Sequence, residues 1–140
     1  MLKPYQVADA LFRMMHRPHD NQGASMHNKS GFAPSEGYMV SLQGCEVRWS
    51  HNGLGLPSLG VLDAWAHAVV ANVIAGDWYY GYWRDEENGF IYLDASVNIA
   101  SYRGAVAYAK ANKQLAIYDV CHKKSINVER LQVLPAHIAP

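Results

Sequence analysis

The segment from Asp77 to Ile99 constrains the fold more than any other part of the chain, because its pattern has the period of a β-strand. An Asn88-Gly89 pair, typical of a hairpin turn, separates two runs rich in aromatic and β-branched residues. Alternate residues of the second run are apolar and are expected to face helices: Ile91, Leu93, Ala95, Val97 and Ile99. The residues between them are expected to face the opposite way: Phe90, Tyr92, Asp94, Ser96 and Asn98.

Two helices and three further strands are predicted around this hairpin. Ser58 is a favoured helix N-cap, and apolar residues at helical spacing follow it up to a stop at Gly76. Ser101 begins another helix, which ends near Asn112. Strands are predicted at "YMVSLQG", "QLAIYDV" and "SINV", and "CEVRW" either continues the first of these or folds back after Gly44.

From Gly37 onward the main elements have the order β-α-β-β-α-β, which is the order of the ferredoxin-like sandwich. In that fold both helices cover one face of an antiparallel sheet, and the other face stays open unless another element covers it. We therefore predict an α+β domain over residues 37–128, with the helices near Ser58–Ala75 and Ser101–Asn112 on one face.

An N-terminal extension, residues 1–36, is predicted to contain a helix and a long loop. Pro4 suits a first helical turn, Val7, Leu11 and Met15 share one helical face, and Pro18 ends the helix. The residues that follow have neither helical nor strand periodicity, which is typical of a functional loop or a linker. Residues 129–140 are predicted to be a peripheral tail.

Composition excludes several classes of protein. Half of the 140 residues are apolar and 17% are charged, which indicates one globular domain. Twelve basic residues balance twelve acidic ones, which argues against a DNA mimic and against nucleic-acid binding by bulk charge. Cys45 and Cys121 are too few for a disulfide scaffold, and we find neither a signal-peptide core nor a membrane-spanning run. We expect a cytoplasmic protein that does not bind membranes.

The hairpin is the predicted binding surface, and its turn decides which rings face outward. A two-residue turn puts Tyr79 and Trp83 outward, whereas a three-residue loop with a bulge exposes Tyr80 and Tyr82 instead. Tyr92 faces outward in both. With the first register, the predicted partner-binding residues are Tyr79, Trp83, Asp85, Glu86, Glu87, Phe90, Tyr92 and Asp94.

Three interpretations of these outer rings stay open at the level of sequence. In the first, the N-terminal helix covers them and they are core residues. In the second, they form a binding face, since aromatic side chains dominate interface energetics. In the third, they stack on nucleic-acid bases, although the acidic turn Asp85-Glu86-Glu87 is an unfavourable neighbour for phosphates.

Two stretches resemble a known but uncharacterised domain. "GYWRDEENGFIYLDASVNI" and "AVAYAKANKQLAIYDV" share a "YLD-x-S" string and an "NxQLAIYD" string with a small α+β domain that recurs in proteins of phages and other mobile genetic elements. The resemblance covers residues 37–128. It implies a mobile-element origin and brings no activity, cofactor or catalytic residue with it.

Two groups of residues are weak candidates for chemistry. His16, His19, Asp20 and His27 are residue types that bind zinc, but their spacing matches no familiar site. Cys121 and His122 suggest a thiol nucleophile, yet neighbours on a strand point to opposite faces. We therefore predict no metal, no cofactor and no catalytic residue.

The sequence as a whole favours a non-enzymatic interaction protein. Its expected partner is a host or phage protein, with inhibition of a nucleic-acid-handling defence complex as the concrete hypothesis, because an acidic, aromatic hairpin suits a basic groove. The alternatives are a small nucleic-acid-binding module and a metal-dependent enzyme built on the His-rich loop. The open face also suits a homodimer.

Overall fold

A computed structural model of the chain describes residues 1–16, 23–50, 55–73, 76–85 and 87–128. These residues form three helices and a seven-stranded antiparallel sheet. The helices are α1 (Pro4–Met15), α2 (Leu59–Asn72) and α3 (Tyr102–Ala111). The strands are β1 (Gly23–His27), β2 (Tyr38–Ser41), β3 (Val47–Ser50), β4 (Tyr79–Asp85), β5 (Phe90–Ile99), β6 (Ala116–Asp119) and β7 (Lys124–Asn127).

The central strands have the ferredoxin-like order that the sequence predicts. They run β4-β5-β2-β6, and β1 and β7 extend the sheet beyond β4 and β6. β2 pairs with residues 96–99 of β5 and β3 with residues 90–93, so the chain continues along one edge of β5 past Gly44. Ser58 and Ser101 cap α2 and α3 by accepting hydrogen bonds from Val61 N and Gly104 N, as predicted. The α+β prediction is confirmed.

All three helices pack on one face of the sheet, which we call the inner face. In β5, Ile91, Leu93 and Ala95 are fully buried in one core cluster with residues of α1 and α2. Val97, on the same face of the strand, packs against that cluster and against a second one around Ala105 of α3. Because residues two apart on a strand share a face, the prediction that α2 and α3 lie on the same side is confirmed.

α1 lies beside α2 and does not pack on the opposite, outer face of the sheet. Its apolar stripe, which includes Val7, Leu11 and Met15, is buried in the same cluster as Trp65 and Tyr80. The interpretation in which α1 covers the outer rings is therefore wrong. A helix with one apolar stripe packs where apolar surface is already gathered, and α2 provides it on the inner side.

The predicted N-terminal loop contains a strand that its sequence did not reveal. In β1, Met26 points into the core opposite Tyr80, while Ser25 and His27 lie on the outer face opposite Gly81 and Tyr79. The alternation is only five residues long and has a single large apolar member. Pairing with β4, far away in sequence, therefore stabilises β1 more than its own propensity does.

The hairpin between β4 and β5 has a longer turn than either predicted form. Asp85 pairs with Phe90, so four residues separate the paired ends of the two strands. The Asp85 carboxylate accepts hydrogen bonds from Glu87 N (2.9 Å) and Asn88 N (3.4 Å), and Gly89 has a φ of 74°. This register turns the same residues of β4 and β5 outward as a two-residue turn would. Tyr80 and Tyr82 are buried, so the prediction that a three-residue loop exposes them is wrong.

Candidate functional site

An exposed aromatic group stands on the outer face, where β4 and β5 pair. Trp83 lies directly opposite Tyr92, and their rings stack with centroids 4.9 Å apart and an angle of 13° between planes. Tyr92 also accepts a hydrogen bond on its hydroxyl from Asn88 Nδ2 (2.9 Å). The Arg48 guanidinium lies 5.2 Å from the Phe90 ring centroid. Trp83 remains 46% exposed despite its stack with Tyr92.

Beside the rings, a carboxylate is held at the centre of the outer face. Asp94 follows Tyr92 by two residues, and its Oδ2 accepts a 2.7 Å hydrogen bond from Ser41 Oγ on β2. It lies opposite Gly81, and a side chain at that position would bring its Cβ within 2.7 Å of Asp94 Oδ1. The missing side chain of Gly81 therefore leaves space beside this carboxylate.

Its surroundings change the acidity of this carboxyl group. Burial raises the pKa of Asp94 above its ordinary value, the hydrogen bond from Ser41 opposes the shift, and the negative charge of Glu46 adds to it. Removing a carboxylate from water disfavours its charged form, and a nearby like charge acts in the same direction. A positive charge on this face would relieve both effects.

The outer face is concave and encloses a cleft of about 640 Å³. Its floor combines Asp94 with the hydroxyls of Ser25 and Ser41, and its walls include the Trp83–Tyr92 pair. Two further large apolar residues that are exposed, Leu115 (63%) and Tyr118 (41%), also line it. The charged residues in its described lining are three acids and one base: Glu46, Asp85, Asp94 and Lys113.

Most of the predicted site residues lie together on this face. They are Tyr79, Trp83, Asp85, Phe90, Tyr92 and Asp94, as the pairing register of β4 and β5 shows. Glu87 lies in the hairpin loop and donates its backbone N–H to Asp85. Glu86 lies outside the described residues.

Sequence reasoning missed the residues that other elements bring to the cleft. Ser25, Ser41, Glu46 and Lys113 come from β1, β2 and two loops. For Ser41, the alternation in "YMVS" indicates a side chain on the outer face. For Lys113, which follows α3 with a φ of 56°, nothing local indicated the position.

The described members of the histidine group do not form a metal centre. His27 Nδ1 accepts hydrogen bonds from Lys29 N (3.1 Å) and Ser30 N (3.2 Å), and its Nε2 lies 3.1 Å from Asp77 Oδ1. His16 Nδ1 lies 2.8 Å from Phe12 O, at the end of α1. His19 and Asp20 fall outside the described residues. Among those that are described, no group of three His, Cys, Asp or Glu side chains is arranged to hold a metal ion.

Cys121 and His122 lie in the turn between β6 and β7. His122 Nδ1 is 2.7 Å from Asp119 Oδ2, and Cys121 Sγ lies 3.9 Å from Ser35 O. The pKa of Asp119 is lowered overall. Desolvation by itself raises this pKa, but the hydrogen bonds and the charge of His122 have the larger combined effect. The Asp119–His122 pair closes the turn, and nothing in these contacts directs the His122 ring to the thiol.

The comparisons with known proteins identify no relative. No protein-family model, no curated protein and no solved structure matches the chain. The resemblance to a mobile-element domain therefore stays a prediction. In the part of the chain that the structure describes, no helix is long and apolar enough to cross a membrane.

Proposed function

We propose that this protein is a non-enzymatic binding module that binds a partner protein with the outer face of its sheet. The observation that carries the proposal is the stacked Trp83–Tyr92 pair, which lies in a cleft with Trp83 nearly half exposed. Exposed aromatic and apolar side chains gathered in one patch are uncommon on monomers, and aromatic anchors contribute most of the binding energy at protein interfaces.

The charges of the cleft favour a protein partner with a basic surface. Glu46, Asp85 and Asp94 face one base, Lys113, in its described lining. Nucleic-acid binding requires the reverse balance, since phosphates are held by Lys and Arg. Complementary charge also speeds association with a basic partner.

The narrower hypothesis concerns the identity of that partner. On the resemblance described above, the protein comes from a phage or mobile element and acts in the bacterial cytoplasm. Its partner is then a host or phage protein, and the proposed effect is inhibition of a defence complex whose basic groove the outer face occupies. The acidic lining of the cleft supports this hypothesis.

Site-specific photo-crosslinking tests the binding face. A photoreactive phenylalanine replaces Tyr92 in one variant and Leu59, a 44% exposed residue of α2, in the control. Each variant is expressed in cells of the organism that encodes the protein. The variant at position 92 should crosslink one protein that the control variant does not. With that protein purified, Trp83→Ala should weaken binding at least about tenfold, which corresponds to about 1.4 kcal/mol, and Leu59→Ala should leave it unchanged.

Two outcomes contradict the proposal. One is a partner that crosslinks from position 59 and not from position 92. The other is binding of single-stranded RNA or DNA that Trp83→Ala abolishes and that weakens steeply with salt, which would favour the nucleic-acid-binding module.

A further inference from the structure

We propose that the outer face contains a site for one cationic side chain of the partner, a lysine or an arginine, in a notch above Gly81. This proposal rests on the proposed function and names the chemistry that the partner presents to the cleft. The notch lies among four cleft residues of β1, β4 and β5, Ser25, Gly81, Trp83 and Asp94, and Tyr79 stands on the same face of β4 beside it.

The notch follows from the pairing register. Ser25, Gly81 and Asp94 lie side by side on three adjacent strands, and the middle residue has no side chain. A Cβ built on Gly81 would lie 2.7 Å from Asp94 Oδ1 and 3.7 Å from Ser25 Oγ. Two oxygens that accept hydrogen bonds therefore converge on the space above the glycine.

Aromatic rings flank this space along β4. Tyr79 and Trp83 precede and follow Gly81 by two residues, so both stand on the outer face, about 7 Å to either side along the strand. A cation within about 6 Å of an aromatic ring face is attracted to it, and a nearby carboxylate attracts the same charge. Tyr79 is itself fixed by an edge contact with the ring of His27, at 5.1 Å between centroids.

The charge and hydrogen bonding at Asp94 favour a cation over a neutral ligand. Ser41 Oγ donates a 2.7 Å hydrogen bond to Asp94 Oδ2, which fixes the orientation of the carboxylate. The other oxygen, Oδ1, lies toward Gly81. Glu46 and Asp85 add negative charge to the cleft, and Lys113 contributes one positive charge to its described lining. A hydrogen bond between Asp94 and a cationic side chain is of the charge-assisted, stronger kind. Burial, with the Glu46 charge, raises the pKa of Asp94, so a cation also offsets the cost of ionising it.

NMR titration with small probes tests the site directly. The probes are the amides of Nα-acetyl-lysine and Nα-acetyl-arginine, with Nα,Nε-diacetyl-lysine amide and Nα-acetyl-citrulline amide as neutral controls of similar shape. We expect saturable shifts of the Gly81 backbone amide and the Trp83 indole N–H with the cationic probes, in the millimolar range, and none with the neutral ones. The two cationic probes distinguish a lysine site from an arginine site.

Two variants assign the effect to the notch. Asp94→Asn keeps an oxygen for Ser41 and removes the charge, and Gly81→Ala places a methyl group against Asp94 Oδ1. Each should retain the wild-type fold by NMR and lose at least about nine-tenths of the probe affinity. Asp9→Asn, which removes one charge from the exposed side of α1, is the matched control and should bind as the wild type does.

The result that overturns the inference is equal binding of the cationic and neutral probes, or undiminished binding to Asp94→Asn. Its failure is distinguishable from failure of the proposed function. If Trp83→Ala abolishes capture of the crosslinked partner and Asp94→Asn does not, the outer face binds a partner without a cationic anchor.

Discussion

Burial in the folded protein disfavours ionisation of the Asp94 carboxyl group. Because its pKa is raised by burial, the folded protein binds the Asp94 proton more tightly than the unfolded chain does. The stability that this proton provides is fully present below the ordinary pKa of 3.8 and is lost as pH rises through the raised pKa. A rise in pH through this range therefore lowers the free energy of unfolding.

The resulting prediction compares Asp94→Asn with the wild type across pH. Asparagine keeps the acceptor for Ser41 and has no charge, so the variant should be equally stable in acid and should exceed the wild type increasingly as pH rises toward neutral. Urea unfolding followed by circular dichroism at a series of pH values measures the difference. A variant that is clearly less stable than the wild type near neutral pH would contradict this assignment.

Asn28 is a buried polar residue whose side chain joins two distant loops. It is 1% exposed; its Nδ2 donates to Gly76 O at 3.0 Å, and its Oδ1 accepts from Trp78 N at 3.3 Å. Its backbone also pairs with Trp78 and Leu2. Although Asn28-Lys29-Ser30 has the form of a glycosylation site, an amide buried in this way is closed to a glycan.

Asn28→Ala should be strongly destabilising, because it leaves two backbone groups without their partner in a buried place. We expect a loss of about 2 kcal/mol or more in the free energy of unfolding. Asn72→Ala is the matched control: its amide donates to Ala68 O at 2.7 Å on the exposed side of α2, so its loss should cost under about 1 kcal/mol. Chemical denaturation of both variants would show whether burial makes the difference.

At the scale of elements, the sequence predicts the faces of the strands better than their limits. The alternation from Ile91 to Ile99 is strong because these apolar residues pack in the two core clusters that the helices share. The faces of β5 and β4 follow from it. β1 was not predicted, since its single buried large residue, Met26, makes no readable period. The turn length was missed because it depends on the Asp85 side chain, which caps the loop by hydrogen bonds that a dipeptide pattern does not encode.

The hairpin element yields a prediction that separates its two faces. Tyr92 on the outer face contacts Trp83, whereas Tyr80 on the inner face is fully buried between Trp65 and Trp78. Tyr92→Ala should cost about 1 kcal/mol, the value of one aromatic pair, and Tyr80→Ala about 3–5 kcal/mol. Thermal unfolding of both variants measures this. Similar losses for the two would mean that Tyr92 belongs to the core and would count against the binding face.

At the scale of the whole molecule, the cleft is a product of topology. Its described lining comes from strands as far apart in sequence as β1 and β7, which the sheet order places within one concave face. The hairpin supplied the rings and Asp94, which are local in sequence and were predictable. Ser25 and Lys113 were not, because their place depends on long-range pairing and on a curvature that no local pattern specifies.

The two core clusters should unfold as one unit, since Val97 packs against both and β5 pairs with strands that contribute to each. Leu11 of α1 lies in the first cluster and is fully buried, and Ile117 of β6 lies in the second at 2% exposure. Leu11→Ala and Ile117→Ala should each cost about 2–5 kcal/mol and lower the midpoint of a single transition. Tryptophan fluorescence reports mainly on the first cluster, since Trp65 and Trp78 belong to it and Trp49 packs against it, whereas Trp83 is exposed on the outer face. Far-ultraviolet circular dichroism reports on the whole molecule, so the two signals should coincide in both variants. If Leu11→Ala instead separates the two transitions, the first cluster unfolds independently of the second, and the prediction of a common core is wrong.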